Sequence, residues 1–233
     1  MLETAKNKTG YFSPAFADPT VFIVNKKLAG DIKITSFADL LNPALKGKIA
    51  FGDPANSSSA FQCLMAMLYS NGKNGDPMSP DAWAYVDNFI KNLDGKLLNS
   101  SGAVHKGAAD GEYTVGLTWE DPAATYVKNG ADVAVVFPAE GAIFPGESVQ
   151  IIKGAKHMEN AKKFVDFMLS KKIQEEAGKT LTVRPLRKGV ALADYMTPQD
   201  TIKLFPNYDE GWVSEYKKEI VAEWNKHLEN SRQ

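Results

Sequence analysis

The run Phe51-Gly52-Asp53-Pro54-Ala55-Asn56-Ser57-Ser58-Ser59-Ala60-Phe61 joins two kinds of sequence. Before it, Lys48-Ile49-Ala50-Phe51 is short and apolar, as a buried strand is. After it, Ala60-Phe61-Gln62-Cys63-Leu64-Met65-Ala66-Met67-Leu68-Tyr69 is long and apolar, as a buried helix is. The three serines stand at the mouth of that helix, where free N–H groups, hydroxyls and the positive end of the helix dipole coincide. That combination suits an anion. It equally suits a plainer role in which one serine caps the helix and no ligand is needed. The stretch alone leaves both readings open.

Working outward, the same alternation recurs. Thr20-Val21-Phe22-Ile23-Val24-Asn25 is apolar at nearly every position, as a strand covered on both faces would be. Ser36 opens a short helix through Leu41, ended by Asn42-Pro43. Ser79-Pro80 opens another with a cap and a proline at its first position, and Trp83, Val86, Phe89, Ile90 and Leu93 recur at helical spacing. A short helix is expected from Ser101 to Ala109 and a buried strand from Tyr113 to Leu117. The turn Thr118-Trp119-Glu120-Asp121-Pro122 follows, then a helix to Gly130. Val133 to Phe137 is a strand ending in the loop Pro138-Ala139-Glu140-Gly141, and Ser148 to Ile152 is a further strand. Helices are expected over 160–169, over Ile173 to a stop at Gly178, and over 211–229, where Val213, Tyr216, Ile220, Trp224 and Leu228 form one stripe. Residues 1–19 are polar and punctuated by Pro and Gly, and read as irregular.

Strands alternating with helices across short turns predict an α/β fold with a largely parallel sheet. Ligands of such sheets sit beyond the carboxyl ends of the strands. The turns after Phe51, Leu117 and Phe137 are three such ends. They nominate one site built from Ser57, Ser58, Ser59, Glu120, Asp121 and Glu140, with Trp119 beside it. Three nominees have a plainer alternative: Asp121 before Pro122 as an N-cap, Glu140 as an exposed loop carboxylate, Trp119 as core or lobe surface; Glu120 has no such capping role.

Composition narrows the function classes. A length of 233 residues suits one large domain or two small ones. A net charge of −1 weighs against nucleic acid or an anionic membrane as the main partner. Cys63 is the one cysteine, so no disulfide forms within the chain and a buried thiol is expected. No apolar run approaches the ~20 residues of a membrane span. Met1 to Lys8 lack the apolar segment of a signal peptide, so the chain as written reads as neither inserted nor exported. The histidines His105, His157 and His227 are scattered, with no second ligand at metal spacing, and read as surface residues. There is no nucleophile elbow, dinucleotide turn or Walker loop, so the chain reads as a binder rather than an enzyme, with no cofactor and no metal.

One stretch carries a family likeness. Leu40-Leu41-Asn42-Pro43-Ala44-Leu45-Lys46-Gly47-Lys48-Ile49-Ala50-Phe51-Gly52-Asp53-Pro54 resembles the equivalent run of extracytoplasmic solute-binding proteins of ABC importers, nearest the ferric-ion, phosphonate and sugar-phosphate binding class. Ala109 to Leu117, the loop Pro138-Ala139-Glu140-Gly141, Lys153 to His157, Ala161 to Ser170 and Arg184-Pro185-Leu186-Arg187 match in the same order. The likeness spans about residues 10–190.

The resemblance implies a periplasmic-binding-protein-like α/β fold of type 2, with two lobes closing on a solute. On that reading residues 1–23 are the end of a first-lobe portion and the crossover. Residues 24–148 are a complete second lobe, 149–200 are first-lobe return segments and 201–233 are a C-terminal helical segment packing back across the lobes. The first lobe would be partial and the chain truncated at its N-terminus, with the incomplete lobe open to homodimerisation. Ferric binders keep adjacent tyrosines where this chain has Glu120 and Asp121. The substitution shifts the expectation toward a sugar phosphate or organophosphonate, with the serines on the phosphorus oxyanion and the carboxylates on hydroxyls or an ammonium. The alternative is ferric ion with a synergistic anion. A regulator's effector domain and a transferase rank below. The implied partners are a small solute and a membrane permease, in the periplasmic or extracytoplasmic space.

Overall fold

The computed structural model describes residues 9–232, so the reading of Met1 to Lys8 lies outside it. Among the described residues the strands are β1 (Ser13–Ala17), β2 (Thr20–Asn25), β3 (Ile49–Ala50), β4 (Val115–Trp119), β5 (Val133–Val136), β6 (Gly146–Val149) and β7 (Arg184–Pro185). The helices are α1 (Lys26–Ala29), α2 (Ser58–Asn71), α3 (Pro80–Leu93), α4 (Ser101–Ala109), α5 (Glu120–Lys128), α6 (Met158–Met168), α7 (Lys171–Thr180), α8 (Glu210–Glu215) and α9 (Lys217–Asn230). The chain forms two compact units, one of residues 9–19 with 144–198 and a larger one of residues 20–143 with 199–232.

The larger unit is built on the sheet β3-β4-β2-β5. All six residues of β2 are buried, as its unbroken apolar run requires. Its side chains alternate between two faces. Phe22 and Val24 join Leu117, Val115 and the apolar faces of α2 and α3, whereas Val21 and Ile23 join Ala108 of α4 and Ala123 of α5. Gly116 allows the second layer to approach: a Cβ there would stand 3.0 Å from both Ile23 and Val104 side-chain carbons. The sheet is mixed, not largely parallel. β2 runs antiparallel to both neighbours, and the parallel pair is β3 with β4. An apolar run without alternation reports burial on both faces and carries no information on direction, which is why the sequence misled.

Of the stripe on the last helix, Val213, Ile220 and Trp224 are buried at 3% exposure or less, Leu228 is half-buried and Tyr216 is exposed. The helix itself is broken at Tyr216 into α8 and α9. α9 lies on α3, where the His227 imidazole stacks on Trp83 with centroids 4.9 Å apart. Its Nδ1 is 2.6 Å from Asp87 Oδ1 and its Nε2 3.2 Å from Glu223 Oε1. His227 is therefore a helix-docking residue and not a surface one, a role created by α3, which is remote in sequence. His105 is half-buried on α4, 3.4 Å from the Thr118 hydroxyl, and burial pushes its pKa down. His157 is exposed as expected.

In the smaller unit β1 lies between β6 and β7. Residues 13–17 are thus a strand where irregular structure was expected, because their partners come from residues 146–149 and 184–185. Gly178 does not stop α7, which continues to Thr180. A Cβ at Gly178 would fall 2.4 Å from the Ala191 carbonyl oxygen, so the glycine serves a close chain approach. α6 buries none of its residues, and Phe164 and Phe167 are more than half exposed. Among the described residues no helix is long and apolar enough to cross a membrane.

Candidate functional site

The register fixes where the strands end. β3 runs with β4, and β5, antiparallel to β2 as β4 is, runs with them too. The turns after β3, β4 and β5 therefore leave the same edge of the sheet. The serine turn and Trp119-Glu120-Asp121 follow adjacent strands. Glu140 follows β5, on the other side of β2, with roughly 10 Å between the axes of β4 and β5 from the ordinary strand spacing.

The serine turn is closed from Asp53. The Asp53 carbonyl accepts the amides of Asn56 at 3.0 Å and Ser57 at 2.9 Å. Its carboxylate accepts Ala55 N at 3.0 Å and Asn56 Nδ2 at 2.8 Å, the Asx geometry expected of Asp-Pro sequences. Ser57 then sits in extended backbone as the N-cap of α2, and its Oγ accepts Ala60 N at 3.4 Å. The capping role is thus real, and it uses one acceptor of a hydroxyl that retains its donor. Ser57 Oγ also lies 3.2 Å from Ser59 Oγ. Ser58 is exposed, Ser57 half-buried and Ser59 buried. The amides of Ser58 and Ser59 occupy the first turn, where helix geometry offers no intrahelical acceptor. A cavity of about 550 Å³ opens beside the turn, walled by Asp53, Asn56, Asn99, Leu228 and Arg232; the serines are not among its walls.

The second cluster is the β4–α5 junction. Trp119 is half-buried and occupies the N-cap position without a side-chain cap bond. Glu120 and Asp121 are the first two helical residues, so Asp121 is not the cap that its place before Pro122 suggested. Both carboxylates stand in the favourable field of the α5 N-terminus. Glu120 is only 1% exposed, an unusual burial for a carboxylate.

Glu140 faces a different neighbour. Its Oε1 accepts the amide of Phe37 at 3.0 Å, and Ala139 N donates to Thr35 O at 2.9 Å, so the two loops are tied together. Its Oε2 is buried without a hydrogen-bond partner among the described residues. Close by, Tyr85 Oη donates to Phe37 O at 2.6 Å. Burial, then the charges of Glu140 and Asp39, holds that phenol well above its ordinary pKa. Asp53 and Tyr85 are not among the residues nominated from the sequence. The Asp-Pro turn signal marked Asp53, whereas nothing local marked Tyr85. Among the described residues no group of three or more His, Cys, Asp or Glu is gathered as a metal site would need.

Comparison with known proteins identifies the family. A family model described as bacterial extracellular solute-binding protein matches residues 3–204. The spermidine/putrescine-binding periplasmic protein of Escherichia coli is 30% identical over 173 residues, covering 73% of this chain and 48% of that protein. A Salmonella typhimurium periplasmic protein provisionally named for 2-aminoethylphosphonate binding is 24% identical, covering 94% of this chain and 66% of its own length. Among solved structures, the periplasmic binding protein AfuA of Actinobacillus pleuropneumoniae, with fructose-6-phosphate bound, superposes with a TM-score of 0.77 at 28% identity. The match covers 96% of this chain and 70% of that one. The chain spans about half to two thirds of the length of the curated relatives it matches. With a family match over most of its length, the chain belongs to the bacterial extracellular solute-binding protein family.

Proposed function

We propose that this chain is the solute-recognising part of a non-enzymatic, extracytoplasmic binding protein that delivers its cargo to the permease of an ABC importer. Its cargo is a small anion-bearing solute, a sugar phosphate or an organophosphonate. The observation that carries this reading is the placement of the serine turn and the Glu120-Asp121 pair after adjacent parallel strands, at one carboxyl edge of the sheet. On this reading Ser57, Ser58 and Ser59, with the first-turn amides of α2, hold the phosphorus oxyanion. Glu120 and Asp121 take the hydroxyls or ammonium of the remainder, and Trp119 flanks them. Glu140 contributes by holding its loop against Phe37. The relatives named for a polyamine and an aminophosphonate, and the neighbour holding a sugar phosphate, bracket this chemistry: cation, zwitterion and anion.

Calorimetric titration of the protein carrying this chain with fructose 6-phosphate, 2-aminoethylphosphonate, spermidine and Fe(III) tests the reading. A phosphorus-bearing solute should bind. Replacing Ser57 and Ser58 together by Ala should weaken it about 10-fold or more, since charge-assisted hydrogen bonds contribute roughly 1.5–3 kcal/mol each. Binding of spermidine or Fe(III) alone, or affinity indifferent to the serine substitutions, overturns the anion reading.

A further inference from the structure

We propose that Asp53 and Trp224 are positioning residues of the serine turn, so that the C-terminal helix sets the conformation of the loop meant to hold the ligand's anionic group. The Trp224 indole is wholly buried and meets the Phe51 ring edge-on, with centroids 5.8 Å apart. Its Nε1–H donates to Asp53 Oδ1 at 3.3 Å. The same carboxylate oxygen accepts Ala55 N, while the Asp53 carbonyl accepts Asn56 N and Ser57 N. One residue thus gathers the whole turn, and its other side-chain bonds come from two and three residues away. Trp224 comes from 171 residues further along the chain. Pro54 is buried, whereas Ala55 and Asn56 are exposed and contribute little packing of their own, so this part of the turn takes its orientation from Asp53. A tilt of the Asp53 carboxylate is transmitted to Ser57, the cap of α2, through the Asp53 carbonyl. Helix α9 is in turn seated on α3 by the His227 stack on Trp83 and anchored in the core by the buried Ile220, which makes Trp224 a fixed post.

The effect on affinity rests on the proposed anion role of the serines; the effect on turn order does not. The test measures both, in the protein carrying this chain. Amide exchange is followed over residues 53–60, with the amides of Val21 to Val24 in the central strand as the control for global opening. Trp224→Phe removes the N–H donor and keeps an aromatic ring. Asp53→Ala removes the acceptor at a half-buried site, where the fold should tolerate it. Asp53→Asn retains an Oδ1 acceptor for Ala55 N and Trp224. Trp224→Phe and Asp53→Ala should speed exchange of the hydrogen-bonded Asn56, Ser57 and Ala60 amides about 10-fold with the strand control unchanged, and Asp53→Asn should restore most of the protection. Fructose 6-phosphate affinity should fall about 3- to 10-fold in the first two variants and recover in the third. Unchanged turn exchange in both Trp224→Phe and Asp53→Ala overturns the positioning role. If exchange rises and Ser57→Ala with Ser58→Ala weakens binding, but Trp224→Phe and Asp53→Ala leave affinity intact, the link to ligand binding is overturned. If the serine substitutions leave binding intact, or fructose 6-phosphate does not bind, the anion reading fails while exchange still decides the positioning role.

Discussion

Removing the Glu140 carboxylate should loosen the fold by a defined amount. Glu140 Oε1 accepts the amide of Phe37, a residue 1% exposed whose ring meets Phe22 edge-on at 5.2 Å. Glu140→Ala leaves that N–H without its acceptor in a poorly hydrated place, a loss of about 1–3 kcal/mol. Part of this is offset, because the buried and unpartnered Oε2 no longer has to be kept from water. The expected net destabilisation is about 1–2 kcal/mol. Glu140→Gln keeps an acceptor for Phe37 N and should lose less than ~1 kcal/mol, the difference between a charge-assisted and a neutral bond. Both substitutions remove a negative charge beside Tyr85, so its phenol should ionise at lower pH than in the parent. Urea unfolding monitored by circular dichroism gives the stabilities, and absorbance at 295 nm follows the phenolate. A Glu140→Ala protein as stable as the parent, or Gln and Ala variants equal in stability, would refute the reasoning and return Glu140 to a purely ligand-facing role.

Gly178→Ala tests the close approach of α7 to residues 190–191. Helix propensity alone favours Ala by about 1 kcal/mol, whereas a Cβ 2.4 Å from the Ala191 carbonyl should make the variant less stable by about 1–3 kcal/mol. A thermal melt showing a gain in stability would contradict the contact. Tyr208, whose hydroxyl donates to Gln62 Oε1 at 3.0 Å, has its pKa pushed up to about 12, chiefly by burial. A raised phenol pKa favours the protonated folded form. Its stabilising contribution is complete below the ordinary value of 10 and is lost as pH rises through about 12. Tyr208→Phe should therefore lose stability less steeply than the parent between pH 10 and 12 in denaturant titrations; identical slopes would contradict the assignment.

Several elements were legible because their signals are local. The Ser79-Pro80 start, the helix from Ser101 to Ala109 and the buried Cys63 all rest on capping chemistry or apolar spacing within a few residues. Within the candidate site, the serine turn and the Glu120-Asp121 junction were visible as strand-to-helix turns. The partners that organise them were not. Glu140 reads as a loop carboxylate until Phe37, 103 residues earlier, presents its amide. Asp121 reads as a cap until the chain shows Trp119 in that position. His227 reads as a surface residue until α3 brings Trp83 and Asp87 to it.

The sequence by itself determined that β2 is buried on both faces, that a serine-headed helix follows β3, and that acidic residues follow β4. Burial periodicity and helix starts are properties of neighbouring residues, so they survive without the fold. Only the tertiary structure decided that β2 runs against its neighbours, that β3, β4 and β5 end at one edge, and that Asp53 is gripped by an indole from the last helix. Strand direction and long-range hydrogen bonds depend on which segments meet. In this chain the segments that meet are far apart, from Ile49 pairing with Val115 in the sheet to Asp53 meeting Trp224 171 residues further on.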